Sequence, residues 1–293
     1  MKKIGVVYHP LSEDAMQLIP RLKGIINNNG ASCWTCSSWE IETSTELFNG
    51  TELVLSLGGD GTMLRTARAI SPERIPILGI NLGKFGFMTQ LNPNEAQDKL
   101  PAFIAGEGYK EERAMLRAEL VPQAIASGKG LPGGTQFRAL NDVIVGRGLS
   151  SRAVVIQASI NGQPFNTYQA DAVIIATATG STAYTLAAGG SILHPAAKGL
   201  LLQPVAAHLG LNNALVLPPD TIVELSVLTD RSALLGIDGQ VDIEIQTGDK
   251  VIIERSESTA LFLSDKAPDR WYSTLMEKLQ RKNAASHARK SYI

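Results

Sequence analysis

Apolar residues fall into two textures along this chain. Up to about residue 110 they form short uninterrupted runs joined by stretches with helical spacing. "KIGVVYH" reads as a strand buried on both faces. "EDAMQLIPRLKGIINNNG" follows with the apolar rhythm of a helix, and Gly30 is placed to stop it. "ELVLSL" predicts a second buried strand, "TMLRTARAI" a helix and "IPILGIN" a third strand. Strands alternating with helices imply a parallel, right-handed arrangement whose functional loops lie at the carboxyl ends of the strands.

Beyond residue 110 the rhythm shortens to two. "MLRAELV" sets Leu116, Ala118 and Leu120 against Arg117 and Glu119. "AVVIQASINGQPF" alternates through Val154, Ile156, Ala158 and Ile160 before meeting Asn161-Gly162, a strong hairpin signal. "TIVELSV" and "VDIEIQTGDKVII" repeat the pattern. Such alternation with short turns predicts an all-β layered structure. "AIASGKGLPGGTQ", Ala124 to Gln136, reads as a long hairpin loop. Near the end Trp271, Leu275 and Leu279 make an apolar helical stripe, and the last ten or so residues read as a frayed basic tail. The expected fold is an α/β N-terminal domain with a parallel sheet (1–110), an all-β, sandwich-like domain (111–265), and a C-terminal helix and tail (266–293).

Composition narrows the class without naming it. The 293 residues are 44% hydrophobic and 19% charged, an ordinary globular balance. A formal net charge of −1 gives no electrostatic reason to expect nucleic acid or an anionic membrane. "MKKIGVVYHP" is too short in its apolar run for a signal peptide, and no stretch is long and apolar enough to span a bilayer. Cys33 and Cys36 form a C-x-x-C with no second pair to complete a zinc site, so reduced thiols in the cytoplasm are expected.

Three stretches carry candidate chemistry. In "LGGDGT", Gly58 and Gly59 permit close backbone approach to a ligand, and a helix starting just after Gly61 would aim its free N–H groups at an anion. A carboxylate there, Asp60, is unfavourable beside phosphates unless it binds a metal or takes a proton from an attacking hydroxyl. The plain alternative makes Asp60 a helix N-cap. "LNDVIV" sets Asn141 and Asp142 before an apolar strand, which alone is turn chemistry. "TATGSTAYTLAAGG", following the apolar run Ala172 to Ala176, is dense in hydroxyls and small residues, and Tyr184 offers a face for a base.

Together and in this order, "LGGDGTML", "LNDVIV" and "TATGSTAYTLAAGGSILHP" resemble the NAD kinase family, from the first strand to about Leu263. Lipid kinases of the diacylglycerol type and phosphofructokinases carry a loop related to the first, and the third stretch is what singles out the NAD kinases. The resemblance implies transfer of the γ-phosphate of ATP to the 2′-hydroxyl of the adenosine ribose of NAD, giving NADP, with a divalent metal such as Mg²⁺ carried by the donor. It makes Asp60 the catalytic base and an NAD contact, and Gly58, Gly59, Gly61 and Thr62 the loop facing the transferred phosphate. Gly61 falls on the dinucleotide and Arg65 on the dinucleotide or the donor, Asn141 and Asp142 on adenine and ribose hydroxyls, and Thr182, Ala183, Tyr184, Thr185, Leu186 and Ala187 on the adenine side. Asp171 matches a nicotinamide-side carboxylate, Gln240 a late polar contact, and Arg152 a looser basic one. No residue is assigned to a metal. The family's Glu is Asp142 here, shorter by one methylene, so a water-bridged ribose contact is expected, and its Thr-Pro-Thr-Gly has Ala178 for proline, which loosens the loop but removes no polar partner. A homodimer or homotetramer through the β-rich domain is also implied. ATP and polyphosphate remain open as donors, and NAD and NADH as acceptors. A lipid kinase and a non-catalytic NAD-binding regulator are the rival readings.

Overall fold

Chain packing divides this protein into two units: Met1–Glu112 with Ala260–Ile293, and Arg113–Thr259. A computed structural model describes residues 1–83, 86–123, 134–148, 152–229 and 232–290, with side chains for all of these except 268 and 281–290.

The first unit is built on parallel strands β1 (Lys3–Tyr8), β2 (Ser32–Ser37), β3 (Thr51–Gly58) and β4 (Pro76–Asn81), in the order β2-β1-β3-β4. The three strands expected from apolar runs are present, because a strand covered on both faces must be apolar throughout. β2 was not foreseen: "SCWTCS" lies at the sheet edge, only half covered, and lacks the apolar run. Helix α1 (Glu13–Asn28) turns its Ala15, Leu18, Leu22 and Ile26 stripe inward, and Ser12 caps it by accepting the Ala15 N–H. Gly30 follows with φ +72°, a left-handed stop that glycine adopts freely. Helix α2 (Asp60–Ile70) starts at Asp60, two residues earlier than expected, with Gly59 at the N-cap.

Helix α3 (Pro93–Ala105) was also not foreseen, although its signals stand in the sequence. Asn92 accepts from the Asn94 and Glu95 N–H groups while Glu95 reaches back to the Asn92 N–H, with Pro93 in the first turn. Leu22, Ile26, Leu55, Leu57, Leu78, Ile80, Leu100 and Leu263 are buried together in this core. Leu263 comes from the chain's return: Leu261 and Phe262 pair in parallel with Pro76 and Ile77 of β4, and Asp265 binds Lys99 at 2.6 Å. The C-terminal helix, Trp271–Lys290, continues into the stretch expected to fray, where alanines, lysine and arginines favour helix. Among the described residues no helix is long and apolar enough to cross a membrane.

The second unit is all-β. Its strands are β5 (Tyr109–Val121, entering from the first unit), β6 (Thr135–Ala139), β7 (Asp142–Arg147), β8 (Val154–Ile160), β9 (Gln163–Ala170), β10 (Ala172–Ala176), β11 (Leu200–Val205), β12 (Leu215–Leu217), β13 (Val223–Val227), β14 (Ala233–Ile237), β15 (Val241–Ile245) and β16 (Lys250–Ser264). One antiparallel sheet runs β12-β11-β10-β7-β14-β15, and the other carries β16-β13-β8-β9 with the β5–β6 hairpin. Val143, Val145, Val173, Ile175 and Leu235 of the first meet Leu116, Ile156, Ala158, Val223 and Ile253 of the second in one core, which makes the pair a sandwich. The β8–β9 turn is the two-residue one expected, with Asn161 at φ 51° and Gly162 at φ 77° between the paired Ile160 and Gln163. The loop expected between β5 and β6 falls on residues 124–133, outside those described.

Candidate active site

In the strand order β2-β1-β3-β4 the chain reverses direction across the sheet at β1, so loops at the carboxyl ends of β1 and β3 border the position where such sheets bind ligands. Asp60 stands there, half-buried, at the first position of α2. Its side chain does not cap the helix. Gly59 is the cap residue, and the carboxylate instead turns to the loop after β4, where Oδ2 accepts the Phe87 N–H at 2.8 Å and Oδ1 the Met88 N–H at 3.0 Å. The N-cap reading of Asp60 is therefore corrected.

Gly86 makes this grip possible. A Cβ on it would stand 2.1 Å from Asp60 Oδ1, closer than a side-chain carbon can approach. On the other flank a Cβ on Gly58 would meet Thr62 Oγ1 at 2.3 Å. The Thr62 hydroxyl is itself buried without a hydrogen-bond partner, a costly condition that a ligand's polar atom would relieve. Asp60 makes no ion pair with any described residue. Arg65 lies half-buried one turn along α2, while Arg68, further on, is committed to Glu42 at 2.7 Å.

The second unit brings the other two motifs together. Asn141 immediately precedes β7 and Asp142 is its first residue. Thr177, just past β10, donates its hydroxyl to Leu140 O at 2.6 Å and its N–H to Asn141 O at 2.9 Å. Gly180 packs so closely that a Cβ would stand 2.0 Å from Asn141 O. The second and third motifs are thus one assembly.

A residue that sequence reasoning missed holds it. Asp238, at φ 53° in the turn after β14, accepts the N–H groups of Leu140, Asn141 and Asp142 at 3.0, 2.7 and 3.2 Å. Its own N–H returns to Asp142 O at 3.0 Å. Burial, and then the nearby Asp238 charge, push the Asp142 carboxyl up to about 7. Gln240 belongs to the same turn, its N–H on Ile237 O at 3.0 Å. The signal for Asp238 was the "IDGQ" turn itself, an Asp-Gly pair able to take left-handed angles.

Thr182 and Ala183 lead into a four-residue helix, Tyr184–Ala187. Tyr184 is 44% exposed, with its ring open to a partner. Thr185 is fully buried and its hydroxyl lacks a partner, while Leu186 is half-buried and Ala187 exposed. Ala178, where the family pattern has proline, is buried. Asp171 stands at the opposite end of β10 from Thr177, about 20 Å along the strand. There it pairs with Arg147 at 3.3 Å. Arg152 is exposed ahead of β8. Cys33 and Cys36 are free thiols on β2, both held up by burial, so neither is primed as a thiolate.

Comparison with known proteins agrees across both units. A family profile described as the ATP-NAD kinase N-terminal domain matches residues 4–108, and one described as the ATP-NAD kinase C-terminal domain matches residues 140–264. An NAD kinase of Dehalococcoides mccartyi is 41% identical over 288 residues, 98% of this chain and 99% of its own. An NAD kinase of Chloroflexus aurantiacus is 36% identical, covering 96% of this chain and 99% of its own. Two crystal structures share the fold. A yeast NADH kinase complexed with NADH superposes at a TM-score of 0.80 and 22% identity, over 96% of this chain and 88% of that one. An Archaeoglobus fulgidus NAD kinase in complex with ATP gives 0.75 and 23%, over 95% and 99%.

The family profiles over both units and the NAD kinase relatives make this chain an enzyme of the phosphotransferase class. The chain belongs to the ATP-NAD kinase family. No finding favours a lipid kinase or a non-catalytic regulator.

Proposed function

We propose that this protein phosphorylates the 2′-hydroxyl of the adenosine ribose of NAD with the γ-phosphate of ATP, and that Asp60 is the general base. The observation that carries this reading is the posture of Asp60: two backbone N–H groups orient the carboxylate, and no described cation occupies it. Each oxygen keeps lone-pair capacity after accepting one N–H, so a hydroxyl can bond to it and hand over its proton as the phosphoryl group arrives. Positioning and proton acceptance are the protein's main share of such chemistry.

In this reading Gly58, Gly59, Gly61 and Thr62 face the donor phosphates, and Arg65 supplies positive charge beside them. The second unit takes the dinucleotide, with Asn141 and Asp142 on adenine and ribose and Tyr184 stacking. Asp171, Arg152 and Gln240 are its outlying contacts. Among the described residues no group of three or more His, Cys, Asp or Glu side chains is placed to hold a metal. In this reading Mg²⁺ is carried chiefly by the donor triphosphate, as such ions commonly are. The proposed setting is the cytoplasm, and the proposed assembly a homodimer or homotetramer through the β-rich unit.

A coupled assay for NADP formation tests the reading, with ATP or polyphosphate offered against NAD or NADH. Asp60→Asn should keep NAD affinity while kcat falls roughly 10²- to 10⁴-fold, the usual worth of a positioned base. Near-normal kcat in that variant would remove Asp60 from the mechanism.

A further inference from the structure

The two N–H groups that hold Asp60 belong to a loop, and that loop is itself held from its far side. Lys278, half-buried on the C-terminal helix and 191 residues along the chain, donates its ammonium to Phe87 O at 2.7 Å. It also lies 3.5 Å from Thr89 O. Phe87 O and the Met88 N–H are the two ends of one peptide unit. That unit therefore accepts from a cation at its oxygen and donates to Asp60 Oδ1 at its nitrogen, 3.0 Å away. A cation on the carbonyl of a peptide polarises it and strengthens the hydrogen bond made by its N–H, and charge-assisted bonds are the stronger kind.

From this relay we infer that Lys278 is a positioning residue for phosphoryl transfer, acting through the Phe87–Met88 peptide on Asp60. The inference rests on Asp60 being the base. Lys278 does two things at once. It fixes the orientation of the peptide plane, so that the N–H points at the carboxylate, and it raises the donor strength of that N–H. The second contact, to Thr89 O, fixes the next turn of the loop beyond Met88. Gly86 completes the requirement, since the loop can approach Asp60 this closely only without a Cβ there. The C-terminal helix thereby joins the machinery of the site although none of its residues faces a substrate in the reading above.

The test is a double-mutant cycle in the full chain, Lys278→Met against Asp60→Asn, scored by kcat, by KM for both substrates and by thermal melting. In the wild-type background Lys278→Met should lower kcat roughly ten- to a hundred-fold, the usual cost of a misplaced catalytic group. KM for NAD and for ATP should stay within about twofold, and Lys278→Arg should restore most of the rate. In the Asp60→Asn background the same change should cost nothing further, because the group it positions is gone. Lys278→Gln, which keeps a neutral donor, should fall between Met and Arg and serves if the Met variant melts below assay temperature. An equal loss in both backgrounds, or a loss carried by KM and melting temperature alone, overturns the inference. Near-normal kcat in Asp60→Asn sinks the base reading on its own. A crippled Asp60→Asn beside an unaffected Lys278→Met sinks only the role of Lys278.

Discussion

Two glycines of the loop after β4 separate a packing constraint from a composition preference. Gly86 is forced: a Cβ there would lie 2.1 Å from Asp60 Oδ1, whereas a Cβ on Gly83 would meet nothing within 4 Å. Gly86→Ala must push the loop off the carboxylate or the carboxylate off its amides, a shift of about an ångström, and such shifts at a reacting group cost on the order of a hundredfold. Steady-state NADP formation should show that loss for Gly86→Ala and near-wild-type kcat for Gly83→Ala, with both melting temperatures close to the parent. This residue is also where sequence reading stopped short. Asp60 was legible because its glycines sit beside it in the chain, but its hydrogen-bond partners come from 27 and 28 residues away. Lys278 lies further still, and no spacing rule relates a loop carbonyl to a lysine on a distant helix.

At the scale of elements, the turn after β14 and the start of β7 share a proton problem. Asp142 is 3% exposed beside Asp238, and its carboxyl is pushed up to about 7 from 3.8 by burial and by that neighbour. A carboxyl raised in the folded state binds a proton there that the unfolded chain has already released. Stability contributed by this group is therefore fully present below about pH 4, falls as pH rises toward 7, and is flat beyond. Asp142→Asn keeps the shape and deletes the titration, so the drop in unfolding free energy between pH 4 and 8 should shrink by about 2–4 kcal/mol relative to wild type. Urea unfolding across that range reads it directly, and an unchanged slope would mean Asp142 is ionised at no cost. The reason Asp238 went unread is of the same kind. It serves amides 96 to 98 residues away, and only the antiparallel pairing of β7 with β14 brings them together. By contrast the apolar runs, the Asn161-Gly162 turn and the buried strand Ala172–Ala176 were legible because each is specified by neighbours. α3 could have been read from its capping box, but β2 could not, since an edge strand of serine, threonine and cysteine carries no periodic signal.

At the scale of the whole chain, the change of texture near residue 110 shows where the β-rich part begins but not that the chain returns to the first unit. The return is physical: Leu261 and Phe262 extend the parallel sheet beside β4, Leu263 enters the core with Leu78 and Ile80, and Asp265 pairs with Lys99. A fragment ending at Glu112 would leave the open edge of β4 as a row of unpaired backbone groups, a template for aggregation. It would also lose the side chain of Leu263 from its core, worth about 1.5–3 kcal/mol of burial against the 5–15 kcal/mol a domain typically has. Expressed alone, residues 1–112 should therefore be aggregation-prone or molten. Residues 1–112 joined through a short Gly/Ser linker to residues 260–293 should give a cooperative thermal transition and dispersed amide resonances. The lysine relay belongs to the same argument, because the segment that closes the sheet also delivers Lys278 to Phe87 O. If 1–112 alone melts as sharply as the joined fragment, the C-terminal segment is an appendage to the stability of this unit, and the role of Lys278 rests on its kcat cycle alone.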